Sequence, residues 1–254
     1  MLNIGGFKAS SLVNFPRRLT SVVFTNGCNM RCAYCHNGSL ALGEEPSIPE
    51  EVILDKIKTN LNYCKNVVIS GGEPTIQEDA VISFCEKLKS IGVDKIKLDT
   101  NGTSSKIICH LVKEGILNYV AMDIKSKEHY VDRRVQKTIQ HLYQLRNERQ
   151  DNNIFDFEFR TTLDKGYVSP EDVECMLDVL CNNHITYFDK FDNCCSPVWY
   201  FQQCNIPEKQ LLSLDKKVEP YTDEDIMKLV ECHRKFYMSN TKQYPIRVIQ
   251  RFSV

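Results

Sequence analysis

A surplus of positive charge is the first thing this chain of 254 residues lacks: 32 lysines and arginines stand against 33 acidic residues, for a formal charge of −1. That balance excludes a broad cationic face as the main feature, and with it non-specific nucleic-acid binding. No apolar run approaches the length of a membrane span, and the opening stretch "MLNIGGFKASSLVNFP" has no basic-then-apolar leader pattern. A cytoplasmic protein without membrane attachment is expected. The six histidines form no H-x-x-x-H or similar set, so zinc hydrolysis has no support. Neither a G-x-G-x-x-G loop nor a glycine-rich loop leading into Lys-Ser/Thr is present to cradle a phosphate. Glycine itself does not occur after Gly166. Repeats, low-complexity tracts and obvious linkers are also missing. One domain over residues 1–254 is expected, with a core at about 18–205 and a helical extension at about 206–254.

Cysteine, by contrast, is abundant, at twelve residues. The length, the missing leader and the scatter of most cysteines along apolar faces argue against a secreted disulfide framework. Cys64, Cys85, Cys109, Cys175, Cys181 and Cys232 read as reduced, buried small hydrophobes. Cys194, Cys195 and Cys204 contain no tight C-x-x-C pair, and a second metal site is not expected there. The remaining three, Cys28, Cys32 and Cys35, crowd into "GCNMRCAYCHN".

From residue 20 onward, short β-branched runs alternate with amphipathic stretches. The expected strands are "SVVFT", "NVVIS", "KIKLDT", "YVAMDIK", "FDFEFRTTL" and "PVWYFQQ". Between them lie helical patterns. Ser47 and Glu50 have capping-box spacing before a helix carrying Ile53, Ile57 and Leu61 on one face. Val81, Phe84, Leu88 and Ile91 stripe the next helix, which Gly92 stops. A long helix is expected from about Tyr130 to Arg149, one capped by Ser169 with Pro170 in its first turn, and a last one over "TDEDIMKLVECHRKFY". Six strand–helix units joined by right-handed crossovers are two short of a closed barrel. The expected fold is α/β, a partial, open (β/α)6 barrel; a doubly wound open sheet shares the same local pattern.

In such folds the chemistry gathers at the carboxyl ends of the strands. Here those ends carry Cys28, Cys32 and Cys35; then Gly71, Gly72 and Glu73; then Asp99, Thr100 and Asn101; then Asp123 and Lys125; then Arg160. Five such endings imply one site ringed by loops. A structural zinc site wants four closed ligands, and C-x3-C-x2-C offers three with no fourth nearby. Three thiolates on a four-iron cluster would leave one iron open for a small molecule.

C-x3-C-x2-C with an aromatic residue, Tyr34, before the last cysteine resembles the radical S-adenosylmethionine (SAM) enzymes, and "SGGEP" on the next strand strengthens the likeness. "GCNMRCAYCHN", "SGGEPT", "KLDTNG" and "YVAMDIK", in this order, resemble the activating enzymes of glycyl-radical proteins, and most nearly those of anaerobic ribonucleoside-triphosphate reductase. The likeness runs from about Ile4 to Tyr221, and "WYFQQ" followed by "VEPYTDEDI" is similar to that family's C-terminal part. The segment "ITYFDKFDNCCSP" looks inserted, and the tail after Tyr237 departs from the family.

The resemblance implies a partial barrel of the radical SAM type, a four-iron four-sulfur cluster on Cys28, Cys32 and Cys35, and SAM chelated to the open iron. Reductive cleavage of SAM then gives methionine and a 5′-deoxyadenosyl radical that abstracts hydrogen. It further implies that Gly71 and Gly72 expose backbone to the SAM amino group and that Tyr34 lies near the adenine. Glu73, Asp99, Thr100, Asn101 and Asp123 would hold polar parts of the cofactor and a monovalent cation, while Lys125 and Arg160 would meet the SAM carboxylate or ribose. Ordinary alternatives stay open: a tight turn for the glycines, a core tyrosine, solvated aspartates, and a salt bridge from Arg160 to Glu158 or Asp123. His36 and Asn37 are candidates for contact with the cluster sulfurs.

The implied substrate is a glycyl-radical protein, anaerobic ribonucleotide reductase first, with flavodoxin or ferredoxin as electron donor. The rival substrates are another glycyl-radical enzyme or a small heterocycle, and the rival class is a non-catalytic iron–sulfur module. No Arg-Val-x-Gly-Tyr-like stretch occurs in the sequence, so the radical is expected to end on a different polypeptide.

Overall fold

The computed structural model describes residues 1–148, 155–183, 198–204, 218–238 and 247–251, the side chains of 177–183, 232–238 and 247–251 excepted. Strand β1 (Ile4–Phe15) turns back into β2 (Arg18–Thr25) as an antiparallel hairpin. All later strands then add in parallel: β3 (Asn66–Gly71), β4 (Lys95–Thr100), β5 (Tyr119–Asp123), β6 (Asp156–Leu163), β7 (Val198–Gln203) and β8 (Arg247–Arg251). The eight strands lie side by side in chain order.

That order decides between the two folds left open by the sequence. A doubly wound sheet must reverse its strand order at a switch point, and here it never reverses. One continuous core joins the sheet to the helices: Ile53 and Ile57 of α2 (Glu50–Asn60), Val81, Phe84 and Leu88 of α3 (Glu78–Ser90), Ile107, Ile108 and Leu111 of α4 (Lys106–Lys113), and Val135 and Ile139 of α6 (Arg133–Glu148). The strands contribute Val67, Ile69, Ile96, Leu98, Val120, Met122, Phe157 and Phe159 to it. Their alternate neighbours point the other way, because successive side chains in a strand face opposite sides. Val22 and Val68 cluster there with Phe15, against which Phe24 and Tyr119 pack. One face carries the helices and the other lines a lumen, so the sheet is a partial barrel with edges at β1 and β8.

Two strands were not read from sequence. β1 and β8 extend the six expected strands at either edge and lie outside the span 18–205. The long helix expected from Tyr130 is two pieces, α5 (Lys127–Tyr130) and α6, parted at Val131 and Asp132. The Ser47–Glu50 capping box is absent: Pro49 occupies the cap position of α2. Glu50 instead turns inward, accepting from the Leu2 N–H at 2.9 Å and pairing with Lys87. Reciprocal caps do form at α7 (Pro170–Asn183), between Ser169 and Asp172, and at α8 (Asp223–Met238), between Thr222 and Asp225.

Cys64 and Cys85 are buried and reduced as expected, whereas Cys109 and Cys175 are half-buried. The side chains of Cys181 and Cys232, the segment 184–197 with Cys194 and Cys195, and the tail at 239–246 lie outside the described residues. Among the described residues, no helix is long and apolar enough to cross a membrane.

Candidate active site

The loop after β2 begins with Gly27, whose φ of 87° lies where only glycine is unstrained. Its N–H donates to Leu40 O at 2.7 Å, fixing the loop against α1 (Gly38–Leu42). Beyond it, the Met30 N–H donates to Cys28 Sγ at 3.3 Å, and the Cys35 N–H closes a turn onto Cys32 O at 3.0 Å. The Arg31 guanidinium folds back onto the carbonyls of Cys28 and Met30, at 2.7 and 2.8 Å. Cys28, Cys32 and Cys35 are all reduced and half-buried, unlike the fully buried Cys64, Cys85 and Cys204. Burial pushes the Cys28 and Cys32 thiols up, with Lys125 pulling the other way in each case.

Three soft sulfur donors on one loop fit an iron–sulfur cluster, whose metal charge supplies the compensation that buried thiolates need. Among the described residues, no three His, Cys, Asp or Glu side chains form a group that could hold a single metal ion. His36 and Asn37 are exposed, and the Asn37 carbonyl accepts from Ala41 at the start of α1.

The glycine pair has a packing reason to be glycine. A Cβ on Gly71 would stand 2.2 Å from Thr25 N, and one on Gly72 would stand 2.0 Å from Gly27 O. With no side chains in the way, the Gly72 N–H reaches Thr25 O at 2.9 Å and the Glu73 N–H reaches Gly27 O at 2.8 Å. The β3 loop is thereby sewn to the cysteine loop.

Glu73, expected to touch cofactor, is buried inside the protein. Its carboxylate accepts from Thr75 N (3.1 Å), Thr75 Oγ1 (2.6 Å), Thr100 Oγ1 (2.7 Å) and Asn101 N (2.6 Å). Thr100 and Asn101 are buried too. Asn101 reaches out to Asn29 Oδ1 at 2.8 Å and so ties the β4 loop to the cysteine loop. Glu73, Thr100 and Asn101 therefore brace the three loops against one another.

The lumen holds a ladder of charge. Lys97 donates to Asp99 Oδ1 at 2.7 Å and to Asn14 O at 2.7 Å, and stands 3.9 Å from Glu158. Arg160 lies between two carboxylates, with Nη1 at 3.3 Å from Asp99 Oδ2 and Nε at 2.7 Å from Asp123 Oδ1. Lys125 Nζ completes the ladder at 3.0 Å from Asp123 Oδ2. Three cations thus match three carboxylates, which is what keeps so many buried charges tolerable.

Burial works against the charge on Asp99, but Arg160 and Lys97 outweigh it and hold the carboxyl below its ordinary value. At Asp123, Arg160 and then Lys125 likewise overcome burial, and the carboxyl is held well below its ordinary range. Asp123 and Lys125 are the half-buried members, at the open end beside the cysteines. There the Lys125 N–H donates to His129 Nδ1 at 3.3 Å, and burial, then Lys125, depress the imidazole to about 4.

Tyr34 is buried and edge-on to Tyr167, with ring centroids 5.5 Å apart, and its phenol is within electrostatic reach of Lys125, Cys32 and Asp123. Cys204 shares this small apolar cluster with Ala33 and Val218, and Cys32 packs against it. The Cys204 thiol is pushed up to about 12 by burial and then by Asp164.

Sequence reasoning missed Lys97, Asn29, His129 and Tyr167. The alternation in "KIKLDT" places Lys97 on the same strand face as Asp99, and that was the available signal. Asn29 and Tyr167 sit in loops and His129 in the single-turn helix α5, where spacing says nothing of contact.

A sequence profile described as the radical SAM superfamily matches residues 22–148. A protein of Methanocaldococcus jannaschii, provisionally named a glycyl-radical enzyme activating enzyme, is 30% identical over 234 residues, covering 89% of this chain and 96% of that protein. A provisionally named GTP 3′,8-cyclase of Pyrococcus horikoshii is 33% identical over 128 residues, covering 49% of this chain and 39% of that enzyme. Among solved structures, anSMEcpe with bound AdoMet and a Cp18Cys peptide superposes with a TM-score of 0.55 at 18% identity, over 87% of this chain and 60% of that one. SuiB of Streptococcus suis bound to its precursor peptide SuiA superposes with a TM-score of 0.57 at 16% identity, over 90% of this chain and 48% of that one.

Proposed function

Because the chain belongs to the radical SAM superfamily, and is a radical SAM enzyme whose membership implies a four-iron four-sulfur cluster and SAM, we propose that it is an activase. It takes a hydrogen atom from a glycine Cα of a partner protein and leaves a glycyl radical there. The observation that carries this reading is the extent of the likeness. The match to the named activating enzyme runs along 89% of this chain and 96% of that protein. Matches to named GTP 3′,8-cyclases cover 31% to 49% of the chain, the shared core alone. Anaerobic ribonucleoside-triphosphate reductase is the partner favoured by the motif pattern, with flavodoxin or ferredoxin as reductant. The whole chain is taken as one catalytic unit, working in the cytoplasm.

Bound at this site, the cluster and SAM supply the electron and the carbon-centred radical that the hydrogen abstraction requires. The chain's own part is to hold and orient them. Cys28, Cys32 and Cys35 would each take one iron, leaving the fourth for the amino and carboxylate groups of SAM. Gly71 and Gly72 bring bare backbone beside that position. Lys125 and Asp123 offer one cation and one carboxylate, already paired, to the polar edge of SAM. Arg160 serves from behind, as the counter-charge between Asp99 and Asp123, so a separate monovalent cation is not part of the proposed site. Tyr34 keeps its ring in the apolar cluster with Ala33 and Cys204 and sets its hydroxyl near Cys32 and Lys125, beside the place proposed for the adenine.

The partial matches to GTP cyclases favour one second reading, hydrogen abstraction from a small heterocycle. The test incubates anaerobically reconstituted protein with SAM, dithionite and the candidate reductase. A glycyl doublet by electron paramagnetic resonance, together with 5′-deoxyadenosine, is expected. SAM cleavage with no protein radical, but with hydrogen taken from GTP, would overturn the activase in favour of the heterocycle.

A further inference from the structure

The cysteine loop is held from one side by the stitches described above, and from the other by a residue that none of the sequence patterns marks. Tyr167 lies in the turn between β6 and α7. Its hydroxyl accepts from the Ala33 N–H at 3.3 Å, in the middle of the Cys32–Cys35 turn. Its ring stands edge-on to Tyr34, and it packs into the cluster formed by Ala33, Tyr34, Cys204 and Val218, against which Cys32 also rests.

Tyr167 is itself well anchored. Its N–H and that of Val168 both donate to Asp164 O, at 3.0 and 2.9 Å. The Asp164 carboxylate is fully buried and accepts from Gly166 N and Glu219 N, each at 2.9 Å. The Lys165 N–H donates to Glu219 O at 2.8 Å, and Tyr221 Oη donates to Val168 O at 2.8 Å. A rigid bracket thus runs from the segment 218–221, through the Asp164 turn, to the peptide between two cluster cysteines.

We propose that Tyr167 is a positioning residue for the cluster: it pins the Cys32–Cys35 turn, closes its apolar side against water, and keeps the Ala33 N–H turned away from the cluster sulfurs. The proposal rests on Cys28, Cys32 and Cys35 as cluster ligands and is independent of which partner receives the radical. Its physical content lies in two separable features. The ring supplies shielding and packing, and the hydroxyl supplies one acceptor for a backbone donor. Groups that orient metal ligands without touching the metal affect metal affinity, and hydrogen bonds to cluster sulfurs set reduction potential. A freed N–H turned toward a sulfur would stabilise the more negative, reduced cluster.

The test reconstitutes wild type, Tyr167→Phe and Tyr167→Ala anaerobically. It measures iron loss to a chelator, bleaching in air, and the midpoint potential by redox titration. Tyr167→Ala is expected to lose iron about 10- to 100-fold faster than wild type and to bleach sooner. Tyr167→Phe is expected to keep its iron and melt as wild type does, yet to show a less negative midpoint potential. Tyr167→Ala losing thermal stability while Tyr167→Phe keeps the wild-type potential would reduce Tyr167 to a packing residue and overturn the proposal, even if Tyr167→Ala fails to fold. Wild type that takes up no iron would instead overturn the ligand assignment and the proposal with it.

Discussion

At the scale of single residues, the lumen ladder makes unequal demands on its members. Arg160 serves two carboxylates at once, so replacing it with glutamine leaves Asp99 and Asp123 facing each other with less positive charge. Removing one partner from a buried ion pair costs about 3–5 kcal/mol. Arg160→Gln should lower the free energy of urea unfolding by a comparable amount and weaken SAM binding. Added potassium should recover part of the binding in the variant and do nothing for wild type. A wild-type protein whose SAM affinity itself depends on potassium would contradict Arg160 as the internal counter-charge.

His129 gives a pH prediction. Its imidazole is held at about 4 by burial and then by Lys125, with Asp123 and Asp132 opposing, against an ordinary value near 6.5. Between those values the unfolded chain binds a proton that the native protein refuses. The stability tied to neutral His129 is therefore complete above pH 6.5 and is lost as pH falls toward 4, up to about 3 kcal/mol. Urea unfolding at pH 7.5 and 5 should show a smaller acid penalty for His129→Gln than for wild type; equal penalties would remove His129 from the account.

At the scale of elements, the decisive junction is where the β3 loop meets the cysteine loop. Gly72→Ala would drive a methyl group to 2.0 Å from Gly27 O, backbone against backbone, with no flexible side chain to give way. The expected outcome is a protein with wild-type far-UV circular dichroism that retains little iron after reconstitution. Full iron occupancy would show that the two loops can part without cost to the cluster.

This junction also marks how far the sequence could be read. The six inner strands, most helix faces and the ring of polar strand ends follow from periodicity and turn chemistry, which are local. The glycines were visible as room for a ligand, but spacing cannot say that a Cβ there would also meet another backbone at about 2 Å. Glu73 was visible as a cofactor candidate, but its second role was not: that Thr100 and Asn101 fold onto its carboxylate is a matter of long-range contact. Strand β1 escaped because "IGGFKASSLVNF" shows little alternation, its burial arising from pairing with β2 and from Ile48 bridging to Ile4. The capping box failed because a long-range pair, Glu50 with Lys87, outcompeted a local one.

At the scale of the whole molecule, the question is what enters the barrel. Strands added in chain order with β1 and β8 at opposite edges make a curved sheet whose charged, cysteine-bearing end is formed by the loops after β2 to β6. A protein segment and a nucleotide would make different demands there. A nucleotide brings phosphates and needs several cations free to receive them, yet Lys97, Lys125 and Arg160 each face a carboxylate within 3.3 Å. Releasing one would strand its partner in the lumen, at the cost already reckoned for Arg160. A glycine-bearing segment brings backbone amides and little charge, and leaves the ladder intact. The expectation is therefore that SAM cleavage by the reconstituted enzyme is stimulated by the glycyl-radical partner and unmoved by millimolar GTP. With the partner's acceptor glycine dideuterated at Cα, deuterium should appear in 5′-deoxyadenosine. Stimulation by GTP, with no label arriving from the protein, would mean that the ladder opens for a nucleotide after all.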